Sequence, residues 1–118
     1  MKTSVLTKVL LCCALFSMAG LASAEQFFYG KCLLQVKNKK YLDGDCPIKM
    51  EDDGSFTIGV DENAPIDYFA MVSLTDKNTA DGFWNEDKGA NHAQSPLGTL
   101  KQKGGCWQNK TAKVCAWK

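Results

Sequence analysis

His92 is the single histidine of this 118-residue sequence, and it limits the acid–base chemistry available to the chain. Asp87 and Ser95 lie near it in the sequence, and a serine, a histidine and a carboxylate form a hydrolytic triad when a fold brings them together. Ser95 lacks the Gly-x-Ser-x-Gly surroundings of a nucleophile elbow. We therefore interpret His92 as a solvated loop residue and predict that the protein is not an enzyme. A small hydrolase that uses the His92 loop is the least favoured of three functional interpretations.

Asp43 with Asp45 and Asp52 with Asp53 are closely spaced carboxylates. Such side chains serve glycoside hydrolysis and calcium binding. Both pairs lie in segments typical of turns, where aspartate is favoured because its side chain bonds the nearby backbone. The ligand spacing and glycine position of an EF-hand loop are missing around Asp43. We therefore predict no metal site and no cofactor.

The four cysteines outside residues 1–24 are typical of a disulfide framework. Zinc sites use closer spacings such as Cys-x-x-Cys, and the spacings here are wider. Each pair flanks a predicted hairpin, whose two arms would bring the sulfur atoms together. The sequence therefore favours local disulfides over the two crossed pairings, and it leaves no thiol for catalysis or metal binding. The predicted disulfides join Cys32 to Cys46 and Cys106 to Cys115.

The segment 83–92 is the most suggestive candidate binding site. It begins with two bulky aromatic residues at the predicted end of a strand and continues as an irregular polar loop. Exposed aromatic side chains beside adaptable polar groups are typical of binding loops. Strand alternation alone would place one of the two aromatic side chains in the core and the other on the surface. The candidate binding residues are Phe83, Trp84, Asn85, Glu86, Asp87 and His92.

Residues 1–24 have the features of a cleaved signal peptide. Lys2 and Lys8 provide a positive beginning, an apolar run covers residues 9–18, and Ala22-Ser23-Ala24 is a small-x-small cleavage motif. The apolar run is shorter than the roughly 20 residues that a membrane-spanning helix needs. We predict that this leader is removed and that no membrane span remains.

Cys12 and Cys13 lie within the apolar run and are interpreted as apolar residues of the leader. The remainder, residues 25–118, has the length of one domain. We expect this domain to be periplasmic or secreted, since the leader is bacterial in type and disulfides form in exported proteins.

The charge balance argues against nucleic acid as a partner. Without the two leader lysines, 12 of the 14 basic residues remain against 13 acidic ones, so the net charge is about −1. The sequence contains no arginine, the residue best suited to clamp phosphates and carboxylates. The partner class that remains is another protein.

Strand signals recur at short intervals along residues 25–118, whereas helical periodicity is nearly absent. Alternating runs such as 55–60 follow turn segments such as 51–54. The longest apolar run, 68–74, is predicted to be a central strand, and 86–96 is predicted to be a surface loop. The sequence therefore predicts an all-β, mainly antiparallel fold, a small disulfide-stapled sandwich or barrel of six to eight short strands.

These observations favour a small exported binding protein of unknown specificity, such as an inhibitor or immunity-type protein that engages another protein through its loops. A rigid, stapled domain suits this role because it presents loops at little entropic cost. The alternative is an envelope-associated structural or stress protein without a discrete site.

Overall fold

The computed structural model describes residues 25–118, and the predicted signal peptide of residues 1–24 lies outside the described residues. The described chain forms eight β-strands. Within this range there is no helix long and apolar enough to cross a membrane. The strands are β1 (Gln26–Val36), β2 (Lys39–Met50), β3 (Phe56–Ile58), β4 (Ala70–Asp76), β5 (Thr79–Trp84), β6 (Ser95–Lys103), β7 (Cys106–Gln108) and β8 (Ala112–Trp117).

The eight strands form one closed antiparallel barrel. Each strand pairs with the next in chain order, and β8 returns to pair with β1. The prediction of an all-β, antiparallel, disulfide-stapled fold is confirmed, and of the two architectures left open the barrel is the one observed. β4 covers residues 70–74 of the run predicted to be a central strand, and it pairs with β3 on one side and β5 on the other, as every strand of a closed barrel has two neighbours.

Successive strands run in opposite directions, so their connections fall at two ends of the barrel. One end, here called the loop end, carries the connections 37–38, 59–69, 85–94 and 109–111. The other, the turn end, carries the short connections 51–55, 77–78 and 104–105. The two long connections therefore lie at the same end.

The barrel interior is filled by apolar side chains from all eight strands. Along most strands alternate residues point inward, as the pleat of a β-strand requires. Leu34, Ile58, Leu100 and Val114 have no exposed surface. An eight-stranded barrel has an interior that side chains of this size can fill, so the core is continuous around the barrel.

The hairpin between β1 and β2 follows from its two turn residues. Lys37 and Asn38 have φ of 53° and 68°, the left-handed values that a two-residue type I′ turn needs at both positions. Asparagine tolerates this conformation well. The Lys37 amide also donates to the Thr111 carbonyl, which ties this turn to the connection between β7 and β8.

Both predicted disulfides are present in the structure. Cys32 of β1 bonds Cys46 of β2, and both lie in the core of the barrel. Cys106 and Cys115 are directly opposite each other in β7 and β8. Each bridge therefore joins two strands that are already neighbours, and the local pairing is confirmed over the crossed ones.

Candidate functional site

The predicted binding segment lies at the loop end, at the point where β5 leaves the barrel. Phe83 and Trp84 are the last residues of β5, and Asn85 begins the connection 85–94. The other long connection, 59–69, lies beside it, because the Asn85 amide donates to the Phe69 carbonyl and the Gly89 amide donates to the Asp67 carbonyl. The two connections therefore form one continuous surface.

Asn85 holds these two connections together. Its side chain is 5% exposed, and its Oδ1 accepts a hydrogen bond of 3.1 Å from the Phe69 amide. Its Nδ2 donates to the carbonyl oxygens of Asp67, Asp87 and Ala90 at 2.8, 3.2 and 3.0 Å. Buried polar groups require such partners. Asn85 therefore lies beneath the surface and fixes the backbone of both connections, 59–69 and 85–94.

Glu86 and Ser95 close the base of the same connection. Glu86 has φ of 60°, a left-handed conformation that turns the chain sharply out of β5. The Ser95 hydroxyl, at the start of β6, donates to Glu86 Oε1 at 2.6 Å. The hydroxyl that the hydrolytic triad would require is thus bonded to a glutamate, while His92 and Asp87 are exposed on the connection.

The two aromatic residues at the end of β5 have opposite orientations. Trp84 is 6% exposed and packs edge-on against Tyr41, with ring centroids 4.7 Å apart, and it stacks on Tyr68 at 6.2 Å. Tyr41 and Tyr68 also meet edge-on at 5.0 Å. Such offset and edge-to-face contacts stabilise aromatic pairs beyond the area they bury. This cluster lies below the loop surface and supports it.

Phe83 points outward and has apolar neighbours on the adjacent strands. In the register it is opposite Met71 of β4 on one side and Pro96 of β6 on the other. Directly opposite residues of antiparallel strands share a face. Met71 is 40% exposed, Pro96 is exposed and Phe83 is half-buried. These three residues, named here the Phe83 patch, form an apolar strip of three strands beside the connection 85–94.

The charges at the loop end are segregated by sign. The connections 59–69 and 85–94, named here the acidic loops, carry five acidic residues and one lysine. Lys88 lies 3.9 Å from Asp67, an exposed ion pair that contributes little to stability. The segments 37–40 and 109–113, on the other side of the barrel mouth, carry five lysines and no acidic residue. The acidic loops therefore present a negative surface next to the Phe83 patch.

Asp61 keeps its charge in the acidic loops. Its Oδ2 accepts a hydrogen bond from the Tyr29 hydroxyl of β1, and its Oδ1 accepts one from the Asn63 amide at 2.9 Å. These bonds stabilise the carboxylate, so they lower the pKa of Asp61, with the Tyr29 bond as the larger cause. The same bond raises the pKa of Tyr29, because losing the phenol proton would remove it.

Within residues 25–118, no group of three or more His, Cys, Asp or Glu side chains is arranged to hold a metal ion. Of the six residues predicted to bind, the structure brings Phe83, Glu86, Asp87 and His92 to the surface of one barrel end. It places Trp84 and Asn85 beneath that surface. Whether this surface binds a partner stays a prediction.

The sequence does not reveal the neighbours that complete this surface. Met71 and Asp61 lie on segments remote from residues 83–92 in the chain. Pro96 is only four residues beyond His92, but its position opposite Phe83, like that of Met71, depends on the strand register. Tyr41 and Tyr68 gave no signal of a shared cluster, because their contact depends on which connections fall at the same end. The one part of this site that the sequence could indicate was the opposite orientation of Phe83 and Trp84, which follows from strand alternation.

The fold and the site define a class: a small antiparallel eight-stranded barrel with two interstrand disulfides and a loop surface at one end. No protein-family model, curated protein or solved structure matches this chain.

Proposed function

We propose that this chain is an exported binding protein whose loop end engages another protein with a basic surface. The observation that carries the proposal is the buried Asn85 side chain, which makes four hydrogen bonds to hold an otherwise exposed polar surface in one conformation. An ordered surface loses less conformational entropy on binding than a mobile one.

The chemistry of the surface supports a protein partner. The Phe83 patch supplies exposed apolar contacts, and contiguous exposed apolar groups on small proteins commonly mark interaction sites. The acidic loops beside it carry the exposed carboxylates of Glu62, Asp67 and Asp87. Complementary charge steers association and selects the partner, so the partner's contact surface would be basic with an apolar centre. An inhibitor or immunity-type protein directed against a basic hydrolytic enzyme fits this description.

The location proposed for this activity is the periplasm or the extracellular medium. Two disulfides in so short a chain are consistent with an oxidising, exported location. The signal peptide predicted in residues 1–24 would deliver the chain there.

An affinity capture with a matched pair of charge reversals tests the proposal. Asp87 and Asp52 are both exposed aspartates, one at the loop end and one at the turn end. Immobilised protein should capture a partner from envelope and culture-medium fractions of the source cells. We expect Asp87→Lys to weaken this binding by about tenfold or more, because it places like charge against a basic partner, and Asp52→Lys to leave it unchanged.

Equal effects of the two substitutions would contradict the assignment of the loop end. Repeated capture of no stoichiometric partner from either fraction would contradict the proposed function itself. The unfolding midpoint of each variant is measured alongside. An unchanged midpoint shows that a loss of binding does not come from a loss of fold.

A further inference from the structure

One side of the barrel carries lysine as its only charged residue type. β6, β7, β8 and β1 follow one another around the barrel, and none of them contains an acidic residue. The connections 37–38, 104–105 and 109–111 at their ends contain none either. All acidic residues of the chain except Glu25 lie between residues 43 and 87. The separation of charge seen at the loop end therefore continues along the wall of the barrel.

A row of lysine and glutamine side chains crosses this side from strand to strand. Lys101 of β6 is opposite Gln108 of β7, which is opposite Lys113 of β8. Lys113 is opposite Gln35 of β1, and Gln35 is opposite Lys40 of β2. Directly opposite residues share a face, and this is the outer face, because the neighbouring residues of β6, β7, β8 and β1 are buried in the core. We name these five residues the basic row.

The positive charge of the basic row is not neutralised by carboxylates of the described chain. Among the ion pairs within residues 25–118, none includes Lys101 or Lys113. Lys40 pairs with Asp43 at 3.6 Å, and both side chains are exposed, so the pair is weak. The row is therefore available to an anionic ligand.

The shape of the basic row favours a linear polymer over a membrane. The row follows the curvature of the barrel across five of its eight strands, and a flat lipid surface would touch only part of it. Stable attachment of a basic surface to lipid also needs an apolar anchor. The exposed large apolar side chains of the described residues lie outside the row; they are Phe27, Tyr29, Met71 and Trp117.

The composition of the basic row argues against nucleic acid as this polymer. Proteins that bind single strands stack the bases on aromatic side chains, and the row contains no aromatic residue. Phosphate is bound best by the planar fork of arginine, which the chain lacks. Lysine alone supplies point charges, which a carboxylate polymer can satisfy without a fixed geometry.

The alternation of glutamine with lysine matches a polymer of sugars. Gln108 and Gln35 each lie between two lysines, and a glutamine amide both donates and accepts hydrogen bonds, as sugar hydroxyls do. The lysines occupy every second strand, so their backbone positions recur at about 9.5 Å, twice the strand spacing. Two linked pyranose sugars advance a chain by a similar length.

We propose that the basic row binds a linear acidic polysaccharide that carries one carboxylate on every second sugar. The lysines pair with successive carboxylates, and the two glutamines bind hydroxyls of the sugars between them. Lys37 and Lys110 extend the positive surface at the barrel mouth, because their turns are joined by the bond from the Lys37 amide to the Thr111 carbonyl. The basic row shares no residue with the acidic loops or the Phe83 patch, so this site goes beyond the proposed binding of a protein.

Fluorescence anisotropy with an end-labelled hyaluronan oligosaccharide tests the site, since hyaluronan carries one carboxylate per disaccharide. We expect binding that weakens as the salt concentration rises. Lys113→Glu should raise the dissociation constant by about tenfold or more, because it reverses the central charge of the row. Lys88→Glu is the matched control; it changes the net charge equally at an exposed lysine of the acidic loops and should leave binding unchanged.

Gln108→Ala tests the role of the amides. It keeps every charge and should raise the dissociation constant for hyaluronan by about fivefold, the effect of one lost hydrogen bond. An unchanged dissociation constant in this variant would overturn the assignment of a sugar polymer.

Unlabelled competitors separate the polysaccharide from other ligands. Hyaluronan should displace the labelled oligosaccharide, and neutral dextran should not. Equal or stronger competition by single-stranded DNA, polyglutamate or phosphatidylglycerol vesicles would overturn the proposal in favour of that class of ligand. Absence of hyaluronan binding at low salt, or equal effects of Lys113→Glu and Lys88→Glu, would also overturn it.

Discussion

At the residue scale, Asn85 has the largest influence on the candidate site. It follows directly after the inward-pointing Trp84, and strand alternation would place its side chain outward, yet Asn85 is buried under the two long connections because it bonds their backbone. Its amide group satisfies backbone donors and acceptors on both connections. A residue predicted to contact a partner thus contributes by fixing the conformation of those that are exposed.

Asn85→Ala should lower the free energy of unfolding by about 2–4 kcal/mol, because it leaves several buried backbone groups without a hydrogen-bond partner. Asn91→Ala, an exposed asparagine on the same connection, should change it by less than about 0.5 kcal/mol. Urea denaturation followed by tryptophan fluorescence measures both values. Equal stability of the two variants would show that the hydrogen bonds of Asn85 do not hold the loop surface.

Asp53 gives the turn between β2 and β3 a pH-dependent stability. Its Oδ1 accepts from the Ser55 amide at 2.8 Å and its Oδ2 from the Ser55 hydroxyl at 3.2 Å, and these bonds lower the pKa of Asp53. A carboxyl whose pKa is lowered by folding stabilises the fold above its unfolded pKa, and this contribution is lost as the pH falls through the folded pKa.

The stability difference between the wild-type protein and Asp53→Asn should therefore shrink as the pH falls from about 5 to about 2. Ser55→Ala, which removes one of the two donors, should reproduce part of the effect. Thermal unfolding across this pH range measures it. A difference that is constant with pH would contradict the assigned role of the carboxylate.

The sequence predicted the site only in part at this scale. Strand alternation predicts that one of Phe83 and Trp84 points outward and the other inward, so their opposite orientations were foreseeable. The buried position of Asn85 was not, because it depends on the connection 59–69, which is remote in the sequence. Residue type alone cannot separate an asparagine that binds a partner from one that organises a loop.

At the scale of elements, the two disulfides reinforce the hairpins next to the closure of the barrel. Cys32–Cys46 links β1 to β2 and Cys106–Cys115 links β7 to β8, on either side of the β1–β8 seam. That seam joins the first and last strands, and contacts between the ends of a chain are costly in loop entropy. The bridges offset part of this entropic cost, because they stabilise the two hairpins, β1–β2 and β7–β8, that meet at the seam.

Removing either bridge with a double substitution to alanine should lower the free energy of unfolding by about 3 kcal/mol, from the loop-entropy estimate for separations of 14 and 9 residues. Denaturation under non-reducing conditions measures the loss for each pair. In excess reductant the variants should be no less stable than the reduced wild-type protein. Unchanged stability without either bridge would contradict a structural role.

Element type was predictable because alternation and turn residues are local signals. The local cysteine pairing was foreseeable for the same reason, because each pair flanks a predicted hairpin. Closure was not predictable, because a sandwich and a barrel can have the same strand alternation, and only the pairing of β1 with β8 separates them.

At the scale of the whole molecule, the barrel separates two surfaces of opposite charge. The acidic loops and the Phe83 patch lie on one side of the loop end, and the lysine-rich segments 37–40 and 109–113 occupy the other side. A rigid, filled barrel keeps these surfaces at fixed distances.

Chemical-shift mapping of the nitrogen-15-labelled protein, titrated with the captured partner, tests the central claim most directly. The account predicts that the amide signals that shift or broaden belong to residues 59–69, to residues 83–96 and to Met71, while signals of the turn end remain unchanged. Perturbations confined to the turn end would contradict the assignment of the loop end as the binding surface.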